Sequence, residues 1–176
     1  MIVEYPNISN GLSHIIFITG GTKSGKSEFA EHLARKANQL SYVALSINNT
    51  NDKEWQKKIN IHQKRRPKNW KLIETTDLLN TLSKEDGPLL IDSIGGFVME
   101  NIDKENKKWL TKMHALISLL KKRRSLTFIV GEQVGWSLVS EYKIGNTYIE
   151  RIGELQKRIT KISKENWLAI NGRAIK

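Results

Sequence analysis

The sequence has 176 residues, about the length of one domain, and a domain of this size can bury a core without disulfides or metal. Hydrophobic residues make up 39% and charged residues 27%, which excludes a disordered chain and a membrane protein. The absence of cysteine excludes a disulfide scaffold, a thiolate zinc site and a cysteine nucleophile. The 29 basic against 18 acidic residues give a net charge of +11, which favours anionic partners.

Residues 1–13 form a polar extension, and residues 14–176 are predicted to form a single domain. No segment approaches the roughly 18 apolar residues that are needed to span a bilayer. The first ten residues lack the basic cluster and apolar run of a secretory signal. We therefore expect a soluble, cytoplasmic protein.

Short apolar runs alternate with helical patterns along the rest of the chain. Strands are predicted at 15–19, 42–45, 70–73, 89–91 and 126–130, with a last strand at 167–170. Helices are predicted at 26–37, 52–62, 78–82, 110–120 and 149–162, and a basic loop is predicted at 63–69. Continuously apolar strands between amphipathic helices indicate an α/β fold, a mainly parallel sheet with helices on both faces.

The strongest chemical signal is a G-x-x-x-x-G-K-[ST] pattern between the first strand and the first helix. It consists of Gly20, Gly21, Thr22, Lys23, Ser24, Gly25, Lys26 and Ser27. Glycines let backbone amides turn towards a polyphosphate, and the helix that follows directs its N-terminal dipole at the same anion. Lys26 would contact the β- and γ-phosphates and Ser27 would bind Mg²⁺. The pattern predicts a nucleoside triphosphate site.

Asp92 ends the apolar strand at 89–91, where ligands bind in open parallel sheets. A carboxylate at that edge, on a strand near the phosphate loop, would complete the Mg²⁺ shell with Ser27. The alternative is that Asp92 only caps the next helix.

The second group of candidate functional residues is a histidine within a basic loop. Lys64, Arg65, Arg66 and Lys68 lie within six residues of His62. Arginine forks match phosphate oxygens in pairs, and a neutral imidazole could attack an α-phosphorus to form a nucleotidyl-histidine. The alternative is a solvated basic surface.

These constellations, in this order and separation, resemble the bifunctional adenosylcobinamide kinase / adenosylcobinamide-phosphate guanylyltransferase family of cobalamin biosynthesis. The matching positions are 17–27, 42–44, Asp52, Glu54, Ile59, His62, Arg66, Pro67, Trp70, Glu74, Asp92, Val134 and Gly135. The resemblance covers essentially the whole chain after residue 14.

The resemblance implies a P-loop NTPase-like (RecA-like) fold and a two-stage reaction. A nucleoside triphosphate, ATP or GTP, phosphorylates adenosylcobinamide; GTP then guanylylates a histidine, and GMP passes to adenosylcobinamide phosphate to give adenosylcobinamide-GDP. The guanylylated histidine falls on His62. The nucleotide contacts fall on Gly20 to Ser27, Ala44, Leu45, Ser46, Gln63, Lys64, Arg65, Arg66, Glu74 and Asp92. The family also implies Mg²⁺ and a homotrimer.

The chain departs from the family pattern in the half that would recognise the acceptor. A cysteine and an apolar-rich stretch are replaced by residues 93–97, and an asparagine–glutamate pair by Glu132 and Gln133. Two further pairs on the later helix are replaced at 149–150 and 156–157. The residues that handle the nucleotide are retained. The departures therefore bear on recognition of the acceptor or on one of the two activities.

Three other classes fit parts of the sequence. A switch GTPase is suggested by D-x-x-G at 92–95, but the guanine-reading N-K-x-D is missing because residues 106–109 lack the acid. A nucleic-acid-binding NTPase would explain the +11 charge, but no nucleic-acid module is present, and we do not expect nucleic acid as the partner. A small-molecule kinase with another acceptor would need no nucleophilic histidine.

Overall fold

The computed structural model describes residues 14–37, 39–45, 66–136 and 140–176. Within these ranges the chain forms one seven-stranded sheet with helices on both faces. The strands are β1 Ile15–Gly20, β2 Ser41–Ala44, β3 Lys71–Glu74, β4 Leu89–Asp92, β5 Thr127–Glu132, β6 Glu165–Ile170 and β7 Arg173–Ile175. The helices are α1 Lys26–Ala34, α2 Leu78–Lys84, α3 Gly95–Glu100, α4 Asn106–Lys122 and α5 Lys143–Ile162.

The strand order is β3-β2-β4-β5-β1-β6-β7. Every neighbouring pair is parallel except β6 and β7, which are antiparallel. This confirms the predicted α/β, P-loop NTPase-like fold. Because β5 lies between β1 and β4, the carboxyl ends of these three strands meet at one edge of the sheet, next to the start of α1.

Alternate residues of the central strands face opposite layers, as the pleat of a strand requires. On one face, Ile18 and Phe128 pack with Ala30 and Ala34 of α1. On the other face, buried residues of α2, α3, α4 and α5 pack together with the strands, and Trp109 of α4 is among the largest of them. Both faces are therefore covered, which explains why β1, β4 and β5 are apolar at successive positions.

Several elements differ from the sequence predictions. The strand at 167–170 is not the last one, because β7 follows it. Helix α3 was not predicted; it has six residues, two of them glycine. The predicted helix at 52–62 and the polar extension 1–13 lie outside the described residues. No helix in the described ranges has the length and apolarity that crossing a membrane requires.

The hairpin between β6 and β7 turns at Asn171 and Gly172, whose φ angles are +50° and +77°. Two successive residues of positive φ match the twist of the strands that they connect. The Gly172 amide donates to the Ser24 carbonyl at 3.0 Å. The turn of the hairpin thus packs directly against the loop that follows β1.

Candidate active site

The loop between β1 and α1 has the backbone of a phosphate cradle. Lys23 and Gly25 have φ angles of +58° and +90°, so two residues of the loop adopt the left-handed backbone conformation. A Cβ on Gly20 would come within 3.0 Å of Ser24 Oγ and the Ala169 carbonyl, so only glycine fits there. Gly25 is the N-cap of α1, and its carbonyl accepts from the Phe29 amide at 2.9 Å. The first amides of α1 therefore face the loop, as anion binding requires.

Lys26 lies over this cradle. Its ammonium donates to the Gly21 carbonyl at 3.1 Å, which places a positive charge against the backbone of the loop. The predicted loop is therefore present with its strand, turns and helix in register.

Asp92 connects the loop with the neighbouring strands. The Ser27 hydroxyl donates to Asp92 Oδ1 at 3.2 Å, and the Tyr42 hydroxyl donates to Oδ2 at 2.6 Å. Asp92 does not cap α3, whose N-cap is Ile94. Burial, followed by the charge of Asp92, raises the pKa of Tyr42, so its hydroxyl keeps its proton and remains a donor.

Arg66 stands on the other side of Tyr42. Its guanidinium carbon is 3.4 Å from the centroid of the Tyr42 ring, and Trp70 stacks near the same ring with centroids 6.5 Å apart. Arg66 Nε is buried and has no hydrogen-bond partner among the described residues. The guanidinium therefore packs on the face of the ring whose hydroxyl binds Asp92.

The other predicted contacts at this edge are placed by the register of β2. Ala44 pairs with Glu74 of β3 on one side and with Asp92 of β4 on the other, so the three residues form a row. Leu45 follows Ala44 and is buried in the core, which leaves its main chain as the part that can contact a nucleotide. His62, Ser46, Gln63, Lys64 and Arg65 lie outside the described residues and remain predictions.

Glu132 also lies at this edge of the sheet, and the sequence reasoning named it only as a departure from the family pattern. It ends β5 between the loop and Asp92, and its carboxylate accepts hydrogen bonds from the Ser93 hydroxyl and from the Gly95 amide. The available signal was the one that identified Asp92, namely an acid at the carboxyl end of a buried strand. Tyr42 was part of the family match, but nothing in the sequence showed its bond to Asp92.

This arrangement defines a P-loop nucleotide-binding protein. It consists of a strand, a glycine-rich loop and a helix, with a carboxylate hydrogen-bonded to the serine of the loop. Among the described residues no group of three or more His, Cys, Asp or Glu side chains is arranged to hold a metal.

Comparison with known proteins identifies the family. The model of the family "Cobinamide kinase / cobinamide phosphate guanyltransferase" matches residues 16–176, so the chain belongs to this family. The bifunctional adenosylcobalamin biosynthesis protein CobU of Escherichia coli K12 is 25% identical over 180 residues, covering 92% of this chain and 98% of the relative. CobU of Salmonella typhimurium LT2 is 26% identical with the same coverage. The related CobP of Pseudomonas aeruginosa PAO1 is 25% identical over 150 residues, 82% of this chain and 86% of the relative.

Membership confirms the resemblance that the motifs indicated, and the chain is a transferase of cobalamin biosynthesis. The family handles nucleoside triphosphates, which fits the anion-binding loop and the basic charge. A switch GTPase or a nucleic-acid-binding NTPase is not needed to explain either feature.

Proposed function

We propose that the protein phosphorylates adenosylcobinamide and then transfers GMP from GTP to the new phosphate, through a guanylyl adduct of His62, to give adenosylcobinamide-GDP. The observation that carries the proposal is the bond from Ser27 Oγ to Asp92 Oδ1, 3.2 Å long, in a chain that matches the family from residue 16 to 176. This bond joins the phosphate loop to the strand-end carboxylate, which are the two parts that phosphoryl-group chemistry needs.

In this proposal, residues 20–27 bind the triphosphate. The loop amides and the N-terminus of α1 hold the phosphate oxygens, and the Lys26 ammonium leaves the Gly21 carbonyl for the β- and γ-phosphates. The net charge of +11 raises the local concentration of anionic nucleotides. ATP and GTP both fit this part of the site, because the loop contacts only phosphates.

Ser27 and Asp92 would hold Mg²⁺. A hydroxyl and a carboxylate oxygen only 3.2 Å apart are hard oxygen ligands of the type that Mg²⁺ takes beside phosphate oxygens. The metal supplies neutralisation of the charge on the phosphates. The Tyr42 hydroxyl, 2.6 Å from Oδ2, keeps the carboxylate oriented towards Ser27.

The guanylyl transfer requires a nucleophile and positive charge at the α-phosphate. In the proposed step a ring nitrogen of His62 forms a bond to the α-phosphorus of GTP, and the bond to the α–β bridging oxygen breaks with pyrophosphate leaving. An oxygen of adenosylcobinamide phosphate then displaces the histidine. Arg66 supports this arrangement, because it is four residues from His62 and stacks on Tyr42 beside Asp92.

We also propose that residues 14–176 act as one nucleotide-binding domain and that the remaining predicted contacts bind nucleotide. These contacts are Ala44, Leu45, Ser46, Gln63, Lys64, Arg65 and Glu74. A third proposal is that the chain forms a homotrimer. The row of Ala44, Glu74 and Asp92 at one sheet edge supports the first two of these statements. Sedimentation of the purified protein tests the third, since a monomer or dimer at micromolar concentration contradicts it.

The test of the function uses GTP labelled at the α-phosphate. With Mg²⁺, the wild-type protein should become labelled, and addition of adenosylcobinamide phosphate should move the label to a small product. We expect His62→Ala to lose labelling by at least about a hundredfold, because no nucleophile remains, while GTP still binds. His114→Ala, on α4, is the matched control and should label normally. Normal labelling of His62→Ala removes this histidine from the mechanism; no labelling of the wild type, with phosphate transfer intact, indicates a kinase alone.

A further inference from the structure

The segment between β5 and α5 begins at the phosphate loop. Gln133 is the first residue after β5, and its amide donates to the carbonyl of Gly20, the first residue of the phosphate loop, at 3.0 Å. The segment therefore leaves the sheet at its carboxyl edge, where ligands bind in open parallel sheets. Side chains within a few residues of Gln133 start close to the position of the bound phosphates.

The next two residues fix the course of the chain. Val134 is half-buried and packs against the core that includes the buried face of α5. A Cβ on Gly135 would have Ile149 Cγ2 of α5 at 4.0 Å, so the backbone passes beside that helix. Three residues span at most about 11 Å, so the backbone of Trp136 lies within that distance of Gln133.

The far end of the segment is also packed on α5. Asn146 Oδ1 accepts from the Ser140 amide at 3.0 Å, and Asn146 Nδ2 donates to the Ser140 carbonyl at 2.9 Å. A Cβ on Gly145 would come within 3.0 Å of Ser140 Oγ, so the chain lies directly on the first turn of the helix. Both described ends of the segment are therefore held by the fold.

Trp136 differs from the other described tryptophans. It is 69% exposed, whereas Trp109 is 1% exposed, and Trp70 and Trp167 are half-buried against other aromatic rings. Within the described ranges no aromatic or cation–π contact involves Trp136. Because tryptophan has one of the largest apolar surfaces of any side chain, this exposure leaves a ring face that a ligand can cover.

A second apolar side chain is exposed at the same edge of the sheet. Ile144, in the first turn of α5, is 53% exposed. This part of α5 lies beside the end of β5, because the Tyr148 hydroxyl and Glu132 Oε2 are both within 3.0 Å of the position that a Cβ on Gly95 would take. Single exposed apolar residues are common on protein surfaces, but these two flank a phosphate site.

We propose that Trp136 binds the ring surface of the corrinoid acceptor and that Ile144 adds apolar surface at the same edge. The assignment rests on the proposed kinase function, because it names where the acceptor of that reaction lies. Adenosylcobinamide carries its reactive hydroxyl at the end of a flexible side arm, and its macrocycle is large with an apolar ring surface. The macrocycle must therefore be held about one arm length from the γ-phosphate, and the position of Trp136 meets this requirement.

The distribution of the predicted nucleotide contacts supports this division of the edge. Outside the phosphate loop, the described contacts are Ala44 on β2, Glu74 on β3 and Asp92 on β4, with Leu45 directly after β2. None of them belongs to the segment between β5 and α5. The nucleoside and the acceptor can therefore approach the phosphates from different strands, as transfer between two bound substrates requires.

The test measures acceptor binding separately from the two reactions. Trp136→Ala should raise KM for adenosylcobinamide in phosphate transfer about tenfold to a hundredfold, with kcat within about threefold, because the ring surface is lost. Equilibrium dialysis of the coloured ligand should show the same rise in Kd. Labelling by α-labelled GTP should stay within about twofold, which also shows that the variant is folded. Leu72→Ala, an exposed apolar residue of the edge strand β3, is the matched control and should be normal throughout.

Trp136→Phe keeps an aromatic ring and should retain most of the affinity for adenosylcobinamide. Unchanged KM and Kd in Trp136→Ala, or an equal loss of GTP labelling, overturns the assignment. Sedimentation that changes in Trp136→Ala also overturns it, because the exposed ring would then belong to a contact between copies of the chain. If the wild type binds adenosylcobinamide but transfers no phosphate, the kinase function fails, and dialysis still decides the role of Trp136. If the wild type does not bind adenosylcobinamide, both fail.

Discussion

At the scale of single residues, the site is organised around one carboxylate. Asp92 receives Ser27 on one oxygen and Tyr42 on the other, and Tyr42 carries the guanidinium of Arg66 on its ring. Direct contacts therefore join the phosphate loop, strand β2 and Arg66. Tyr42 is only 2% exposed, so its hydroxyl has no competing bond to water.

Removal of the Tyr42 hydroxyl should weaken the metal site. Tyr42→Phe keeps the ring that stacks with Arg66 but leaves Asp92 Oδ2 without its donor. Because partners of metal-binding carboxylates usually affect metal affinity 10- to 100-fold, we expect about a tenfold higher Mg²⁺ concentration for half-maximal GTP labelling. Tyr142→Phe, on an exposed tyrosine, is the control. An unchanged Mg²⁺ requirement would show that Tyr42 does not orient Asp92.

The sequence predicted the loop residues because their chemistry is local. Glycines, Lys26 and Ser27 lie within eight positions, and a strand-end acid such as Asp92 is visible from the apolar run before it. The bond between Tyr42 and Asp92 joins residues 50 positions apart. This bond depends on β2 lying next to β4, and the sequences of the two strands do not reveal the strand order.

At the scale of elements, the close packing of α3 on the end of β2 fixes the position of the site edge. A Cβ on Gly96 would come within 3.0 Å of both the carbonyl oxygen and the Cβ of Leu45. Leu45 directly follows the strand that carries Tyr42 and Ala44. The glycine is therefore required by the approach of a helix to a backbone, not by the conformation of a turn.

Two glycine-to-alanine substitutions should have opposite effects on stability. Gly96→Ala forces α3 away from Leu45, and we expect a loss of about 1–3 kcal/mol in the free energy of unfolding. Gly153→Ala lies inside α5 with open space around it, so a gain of about 0.5–1 kcal/mol is expected from helix propensity. Urea denaturation measures both. Equal stability of Gly96→Ala and wild type would contradict the close contact.

Most elements were predictable from apolar periodicity, and the exceptions are short. Helix α4 and strand β4 have long or continuous apolar patterns, whereas α3 has six residues and β7 has three. In β7 the two outer residues are exposed and the middle residue is half-buried, so no buried apolar run marks the strand. Such elements are held by their neighbours, and a local pattern does not reveal them.

At the scale of the whole molecule, the proposed nucleotide site draws on several strands of the sheet. Its described residues come from β1, β2, β3 and β4 and from the start of α1. A ligand that bridges these elements should stabilise the fold as a unit.

Binding of GTP with Mg²⁺ should therefore raise the melting temperature in a single transition. At a ligand concentration of 100 times Kd, the stabilisation is about 2.7 kcal/mol. For a domain of this size, this corresponds to about 5–10 °C. Lys26→Ala should show little shift at the same concentration, because the charge that serves the β- and γ-phosphates is gone. Calorimetry checks both, and an equal shift in the variant contradicts the assignment of the loop.

The contact between the hairpin turn and the phosphate loop has a consequence for biosynthesis of the chain. Ser24 is translated nearly 150 residues before Gly172, the residue whose amide donates to its carbonyl. We therefore expect the cradle to be completed, and GTP to assist folding, only after Gly172 has been translated. Fusions or truncations that disturb residues 165–175 should act on nucleotide affinity, although those residues are far from the loop in the gene.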